Sequence, residues 1–125
     1  MKHRILVVDD SRELTEAVSI LLAREGHECR VASSGPQALD EARRFAPDIV
    51  ILDIGLPGMS GYDVAQALRA ELARPLHLAA MTGRGSYDLE QARAFDQRVM
   101  KPIDAAALRT IVQAAERAGI APTAA

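Results

Sequence analysis

The chain lacks most of the features that announce a function. It has no tryptophan and one cysteine, Cys29, in 125 residues. A lone thiol cannot form an internal disulfide framework or a cysteine-based zinc site. No apolar run exceeds four residues, whereas a bilayer-spanning helix needs about 20. The N-terminal Met1-Lys2-His3-Arg4 leads only into Ile5-Leu6-Val7-Val8, too short for a signal-peptide core. A cytoplasmic location and no membrane partner are expected. There is no basic excess: 15 Lys+Arg stand against 17 Asp+Glu, for a formal net charge of −2. That balance argues against direct nucleic-acid binding. Lysine is scarce, with only Lys2 and Lys101 among the basic residues.

What is present is an alternation of short apolar runs with helical patterns. Ile5 to Val8 reads as a strand buried on both faces. Ser11 stands at an N-cap position, and Leu14, Ala17, Val18, Leu21 and Leu22 then mark one face of a helix that Gly26 stops. Cys29 to Ala32 is a weaker, edge-like strand. Ser33-Ser34-Gly35-Pro36 opens a second helix carrying Ala38, Leu39, Ala42 and Phe45. Ile49 to Leu52 is the strongest strand. A loop with Gly55, Pro57, Gly58 and Gly61 precedes a third helix with Val64, Ala67, Leu68 and Leu72. Leu76 to Met81 and Arg98 to Met100 give two more strands, with a short helix around Leu89 and Ala92 between them. Leu108, Ile111, Val112 and Ala115 mark the last helix. The pattern predicts an α/β fold with a doubly wound five-stranded parallel sheet, too short for an eight-stranded barrel of about 250 residues. One domain is expected over 1–119, with a flexible tail over 120–125.

In such sheets the functional rim lies beyond the carboxyl ends of the strands. Asp9 and Asp10 follow strand one, Asp53 strand three, Thr82 strand four and Lys101 strand five. Three carboxylates in one cleft repel one another. A hard cation such as Mg²⁺ relieves that conflict and prefers oxygen ligands. A carboxylate can also act as the nucleophile and form an aspartyl-phosphate. Lys101 offers a point charge, and Thr82 a hydroxyl, for phosphoryl oxygens. The set suits metal-assisted phosphoryl transfer onto an aspartate. Asp53, at the end of the most apolar strand, is the expected acceptor. Asp10 is the expected direct metal ligand, Asp9 acts through a water, and the Gly55 backbone carbonyl completes the metal set.

These residues carry a resemblance. Ile-Leu-Val-Val-Asp9-Asp10-Ser, Asp48-Ile-Val-Ile-Leu-Asp53-Ile-Gly-Leu-Pro57-Gly-Met-Ser-Gly61, Thr82 and Lys101-Pro102 resemble the receiver domain of two-component response regulators, over about Lys2 to Ala118. The resemblance implies a flavodoxin-like sheet of order 2-1-3-4-5, as in chemotaxis receivers. It implies Mg²⁺ as cofactor and a cis bond before Pro102. It implies that a histidine kinase or histidine phosphotransfer protein donates the phosphoryl group to Asp53, with output through an unknown protein target. The domain is then a signalling phosphoacceptor, not an enzyme beyond its own phosphorylation and dephosphorylation. Leu52 to Met59 is similar to receivers attached to hybrid histidine kinases, so the chain is expected to be either a stand-alone regulator or part of a larger protein.

Two departures qualify the resemblance. Where the family carries a switching aromatic, three residues before the lysine, this chain has Arg98. The usual threonine–aromatic coupling is not expected in that form. The segment from Thr82 to Lys101 also looks about one helical turn short. A shortened fourth helix is expected, with Ser86 to Phe95 mobile and setting partner choice. These departures motivate one alternative, a phosphorylation-independent interaction module. A hydrolase with an aspartyl intermediate would need a substrate cap and a general base, neither of which the sequence offers. Simpler readings accompany the remaining residues: Cys29 as a small strand residue, Tyr62 and Tyr87 as surface residues near the rim, and His3, His27 and His77 as scattered residues forming no metal set. Arg84, two residues after Thr82, is a candidate contact to a phosphoryl oxygen or a partner.

Overall fold

The computed structural model describes residues 3–83 and 87–122. Five strands, β1 (Arg4–Val8), β2 (Glu28–Ala32), β3 (Ile49–Asp53), β4 (His77–Thr82) and β5 (Gln97–Met100), alternate with four helices. These are α1 (Arg12–Arg24), α2 (Gly35–Phe45), α3 (Gly61–Glu71) and α4 (Ala105–Arg117). All strands are parallel and lie in the order β2-β1-β3-β4-β5. This is the flavodoxin-like sheet expected from the sequence. The strand limits differ from the sequence reading by a residue or so, as strand ends commonly do.

Side chains of β1 and β3 alternate between two cores because strand period is two. Leu6, Val8, Val50 and Leu52 pack with Ala38 and Ala42 of α2 and Val64 and Leu68 of α3. Ile5, Val7, Ile49 and Ile51 pack with Val18 and Leu22 of α1 and Leu108 and Ile111 of α4. Coverage on both faces explains why these strands read as unbroken aliphatic runs. β3, with every residue buried, is the middle strand. The helices start where short polar side chains can satisfy free N–H groups. Ser11, Ser34, Ser60 and Asp104 accept from the N–H of Leu14, Gln37, Asp63 and Ala107.

The connection between β4 and β5 departs from the other crossovers. Its described part holds a single 3₁₀ turn, Gln91–Ala94. The predicted short helix is therefore reduced further, and Leu89, an apolar residue of that predicted helix, is 78% exposed. Asp88 organises the turn: its Oδ1 accepts from Glu90 N at 3.0 Å and Gln91 N at 3.1 Å. Those bonds hold the Asp88 carboxyl below its usual range. Arg69 of α3 ties the turn down by donating to the Ala94 carbonyl at 3.1 Å and the Leu76 carbonyl at 2.7 Å. Arg84, Gly85 and Ser86 lie outside the described residues, as do Thr123 to Ala125 of the tail. Ile120, counted with the tail in the sequence reading, packs against the α1–α4 core and donates its N–H to Ala115.

A 3₁₀ turn has few bonds to break before its amides open. The amides of Gln91–Ala94 should exchange with solvent at least about tenfold faster than those of Val64–Leu68. Native-state hydrogen exchange measures this, and equal protection in the two segments would contradict it.

Candidate functional site

The parallel register gathers the rim residues. Val8 pairs with Leu52 and Asp53 with Met81, so Asp9, directly after β1, lies beside Asp53 and Thr82, which end β3 and β4. Thr82 pairs with Met100, the residue before Lys101, and the Lys101 N–H donates to the Thr82 carbonyl at 2.8 Å. An oxygen from each of Asp9, Asp10 and Asp53 lies within 4.8 Å of the others. Asp9 and Asp53 are buried and Asp10 is exposed.

Lys101 closes the cluster. Its Nζ lies 2.7 Å from Asp9 Oδ2 and 3.3 Å from Asp53 Oδ2. The second oxygen of each carboxylate is held by backbone: Ser11 N donates to Asp9 Oδ1 at 2.8 Å, and Gly55 N to Asp53 Oδ1 at 3.0 Å. The Gly55 carbonyl is the expected metal ligand, but it is the Gly55 N–H that touches Asp53. Burial works against the Lys101 charge, but the hydrogen bond to Asp9 and the attraction of Asp53 and Asp9 outweigh it. The net effect raises its pKa. The peptide bond to Pro102 is cis, as the resemblance implied.

The donor set fits a hard divalent cation. It is all oxygen, and three carboxylates outnumber the one ammonium inside it. Asp10 is not held by Lys101 and stands free to ligate. Among the described residues this is the one group of three or more acidic, histidine or cysteine side chains close enough to hold an ion. The histidines form no such set, although His3 and His27 are not scattered. Their ring centroids are 5.6 Å apart, at the far end of the sheet. His77 is buried at the start of β4, with Nε2 2.8 Å from Gln97 Oε1. Burial pushes the Cys29 thiol up to about 12, which withholds the thiolate that redox sensing needs. A groove of about 310 Å³ between α1 and α4, lined by Leu22, His27, Leu108 and Val112 among others, lies apart from the acidic cluster.

Two features of the site were not foreseen. Thr82 is buried, and its Oγ1 accepts from Arg98 Nε at 3.3 Å. The Arg98 guanidinium in turn lies 4.5 Å from the Tyr87 ring centroid. Gly61 closes the loop after Asp53: a Cβ there would fall 2.4 Å from the Asp53 carbonyl oxygen and 2.5 Å from Ile54 Cα. The sequence marked Gly61 only as a loop glycine. Its spacing from Asp53 was visible; its close approach was not.

Comparison with known proteins adds to this geometry. The family model described as "response regulator receiver domain" matches residues 5–113. The DNA-binding response regulator MtrA of Mycobacterium tuberculosis is 43% identical over 103 residues, covering 82% of this chain and 45% of the relative. The sensory transduction protein RegX3 of Mycolicibacterium smegmatis is 38% identical over 119 residues, covering 92% and 51%. The chain thus spans about half the length of the curated relatives it matches. A CheY-like receiver domain from Methylobacillus flagellatus superposes with a TM-score of 0.84 at 29% identity, covering 92% of this chain and 99% of that one.

Two outcomes follow from the packing and charge of this cluster. Gly61→Ala should destabilise the domain by about 1–3 kcal/mol, because two backbone segments must separate. It should also slow any chemistry at Asp53; urea melts read the first effect, and a melt unchanged from the parent would contradict it. Because the folded-state pKa of Lys101 is raised, its ion pairs stabilise the fold below the ordinary value of 10.5 and cease to do so above the raised one. The stability gap between the parent and Lys101→Met should be constant near neutral pH and shrink on the alkaline side of 10.5, as urea melts across pH would show. A gap that persisted there would count against the pairing.

Proposed function

The chain belongs to the response regulator receiver family, and from that premise we propose that Asp53 is its phosphoacceptor. The observation that carries the assignment is the placement of Asp53. It ends the central strand, is 7% exposed, and has Lys101 on one oxygen and the Gly55 N–H on the other. An Asp53 oxygen attacks the phosphorus of a phosphohistidine, the N–P bond breaks, and the imidazole leaves with the electron pair. The phosphoryl group carries about −1.5 to −2 charges, but the new bond consumes the carboxylate's own charge, so the cleft gains roughly one negative charge, spread over three outer oxygens. The Lys101 ammonium faces those oxygens as a compact charge, and the Thr82 hydroxyl donates to another.

Mg²⁺ fits the donor set, with Asp10, Asp53 and the Gly55 carbonyl as ligands and Asp9 acting through a water. When bound, it would neutralise phosphoryl oxygens that Lys101 alone cannot. Asp9, pinned by Lys101 and by Ser11, contributes fixed negative charge behind Asp10.

Response regulators are partnered by histidine kinases, and a kinase or histidine phosphotransfer protein is the proposed donor here. The domain acts as a stoichiometric acceptor that signals by altered protein contacts. MtrA is named as DNA-binding, but this chain spans 45% of its length. With a net charge of −2, the receiver itself is proposed to make no direct contact with nucleic acid. Among the described residues no helix is long and apolar enough to cross a membrane. A cytoplasmic location is proposed with that.

Incubation with Mg²⁺ and acetyl phosphate should add one phosphoryl group, read by intact mass. Asp53→Asn should abolish the adduct, and Asp10→Asn should form it, with Mg²⁺ present, only at the low rate the parent shows without Mg²⁺. An adduct that survives in Asp53→Asn would refute the assignment. No adduct from any donor would instead favour the interaction module.

A further inference from the structure

We propose that Arg98 is a positioning residue for Thr82 and couples the state of Asp53 to an aromatic cluster formed by Tyr87, Tyr62 and Phe95; the proposal rests on Asp53 being the acceptor. The chain has only four aromatic residues of the Phe, Tyr and Trp types. Three of them meet beside the β4–β5 connection. The Tyr62 and Tyr87 ring centroids are 6.1 Å apart, and Tyr62 and Phe95 meet edge-on at 6.3 Å. Arg98 is the group that joins this cluster to the site. One side of its guanidinium lies on Tyr87 at 4.5 Å, and its Nε reaches Thr82 Oγ1 at 3.3 Å.

The chemistry of Thr82 gives this contact its meaning. A hydroxyl accepts through its lone pairs and donates one proton. Accepting from Arg98 leaves that proton unspent, so the hydroxyl is held ready to donate to an anion arriving at Asp53. A guanidinium keeps its charge at any working pH and carries several donors. The new negative charge on Asp53 attracts it across the Thr82 hydroxyl. Movement toward the site withdraws it from the face of Tyr87, where a cation is held by the ring quadrupole.

The consequence extends beyond Tyr87. Tyr62 belongs to α3, and its hydroxyl accepts from Asp88 N at 2.9 Å. The Asp88 carboxylate accepts from the N–H groups of Glu90 and Gln91 at the start of the 3₁₀ turn. A change at Arg98 therefore reaches α3 and the β4–β5 connection together. No ring on β5 is needed, because Tyr87 supplies one from the preceding connection.

The aromatic-poor composition makes the test direct, since two tyrosines give few ring signals. The protein, Arg98→Met and Tyr87→Leu are compared by intact mass and by tyrosine ring NMR, before and during incubation with Mg²⁺ and excess acetyl phosphate. Arg98 is exposed and Tyr87 half-buried, and circular dichroism checks that each variant folds. In the parent, the Tyr62 and Tyr87 ring resonances should shift as the adduct forms. Arg98→Met should still acquire the adduct, about two- to tenfold more slowly, the factor carried by one hydrogen bond. Its Tyr62 and Tyr87 shifts should fall to less than half those of the parent. Tyr87→Leu should acquire the adduct at the parental rate and lose the Tyr62 shift. Full shifts in Arg98→Met, or a parent that gains the adduct without any tyrosine shift, would overturn the coupling. A parent that gains no adduct from acetyl phosphate or from any other donor would overturn the acceptor assignment itself.

Discussion

The Lys101 ammonium is what allows three carboxylates to share one end of the sheet. Two unit charges 4.8 Å apart repel by about 3–4 kcal/mol at an effective dielectric of 20. Asp9 is almost fully buried and Asp53 nearly so, so neither can rely on water for relief. Lys101 lies within 3.3 Å of both, and the backbone N–H groups of Ser11 and Gly55 take the remaining oxygens. Asp10 is left exposed and outside the pairing. The result is a cleft that stays more negative than its one lysine can balance, which is the condition for attracting a divalent cation.

Such a cleft is weak support for stability, because buried ion pairs pay heavily for lost hydration. The stability lies in the two cores on either side of the sheet. β1 and β3 feed both cores with alternate residues, and α2 with α3, or α1 with α4, cover them. That rigid double layer fixes the strand ends and so fixes the carboxylates. The loop after Asp53 is pressed against α3 at Gly61, where no side chain fits. The acceptor is thus held by packing that involves none of the charged groups.

The β4–β5 edge is built differently. In its described part a four-residue 3₁₀ turn stands where the other crossovers carry helices of 11 to 13 residues. Ala92 is buried and Ala94 and Phe95 pack against the α2–α3 core, while Arg69, Asp88 and Tyr62 add polar contacts. A single 3₁₀ turn has fewer backbone bonds to lose than a full helix, so it opens more easily. Arg98 lies between it and the buried Thr82, touching the site and the aromatic cluster at once.

Much of this was determined by the sequence itself. Unbroken aliphatic runs separated by amphipathic helices require a parallel sheet covered on both faces, and polar residues directly after those runs must lie on one rim. Asp9, Asp10, Asp53, Thr82 and Lys101 were legible for that reason, as was the shortness of the connection before β5. Tertiary structure alone decided how the rim residues pair. The sequence separates the roles of Asp9 and Asp10, but only the fold shows Asp9 buried against Lys101 while Asp10 faces solvent. Nothing in the strand Gln97–Met100 reveals that Tyr87 lies over Arg98, or that Gly61 rests on the backbone of Asp53. Periodicity and caps report what a residue does with neighbours a few positions away. Contacts such as Lys101 with Asp53, 48 residues apart, exist only once the whole sheet has brought them together.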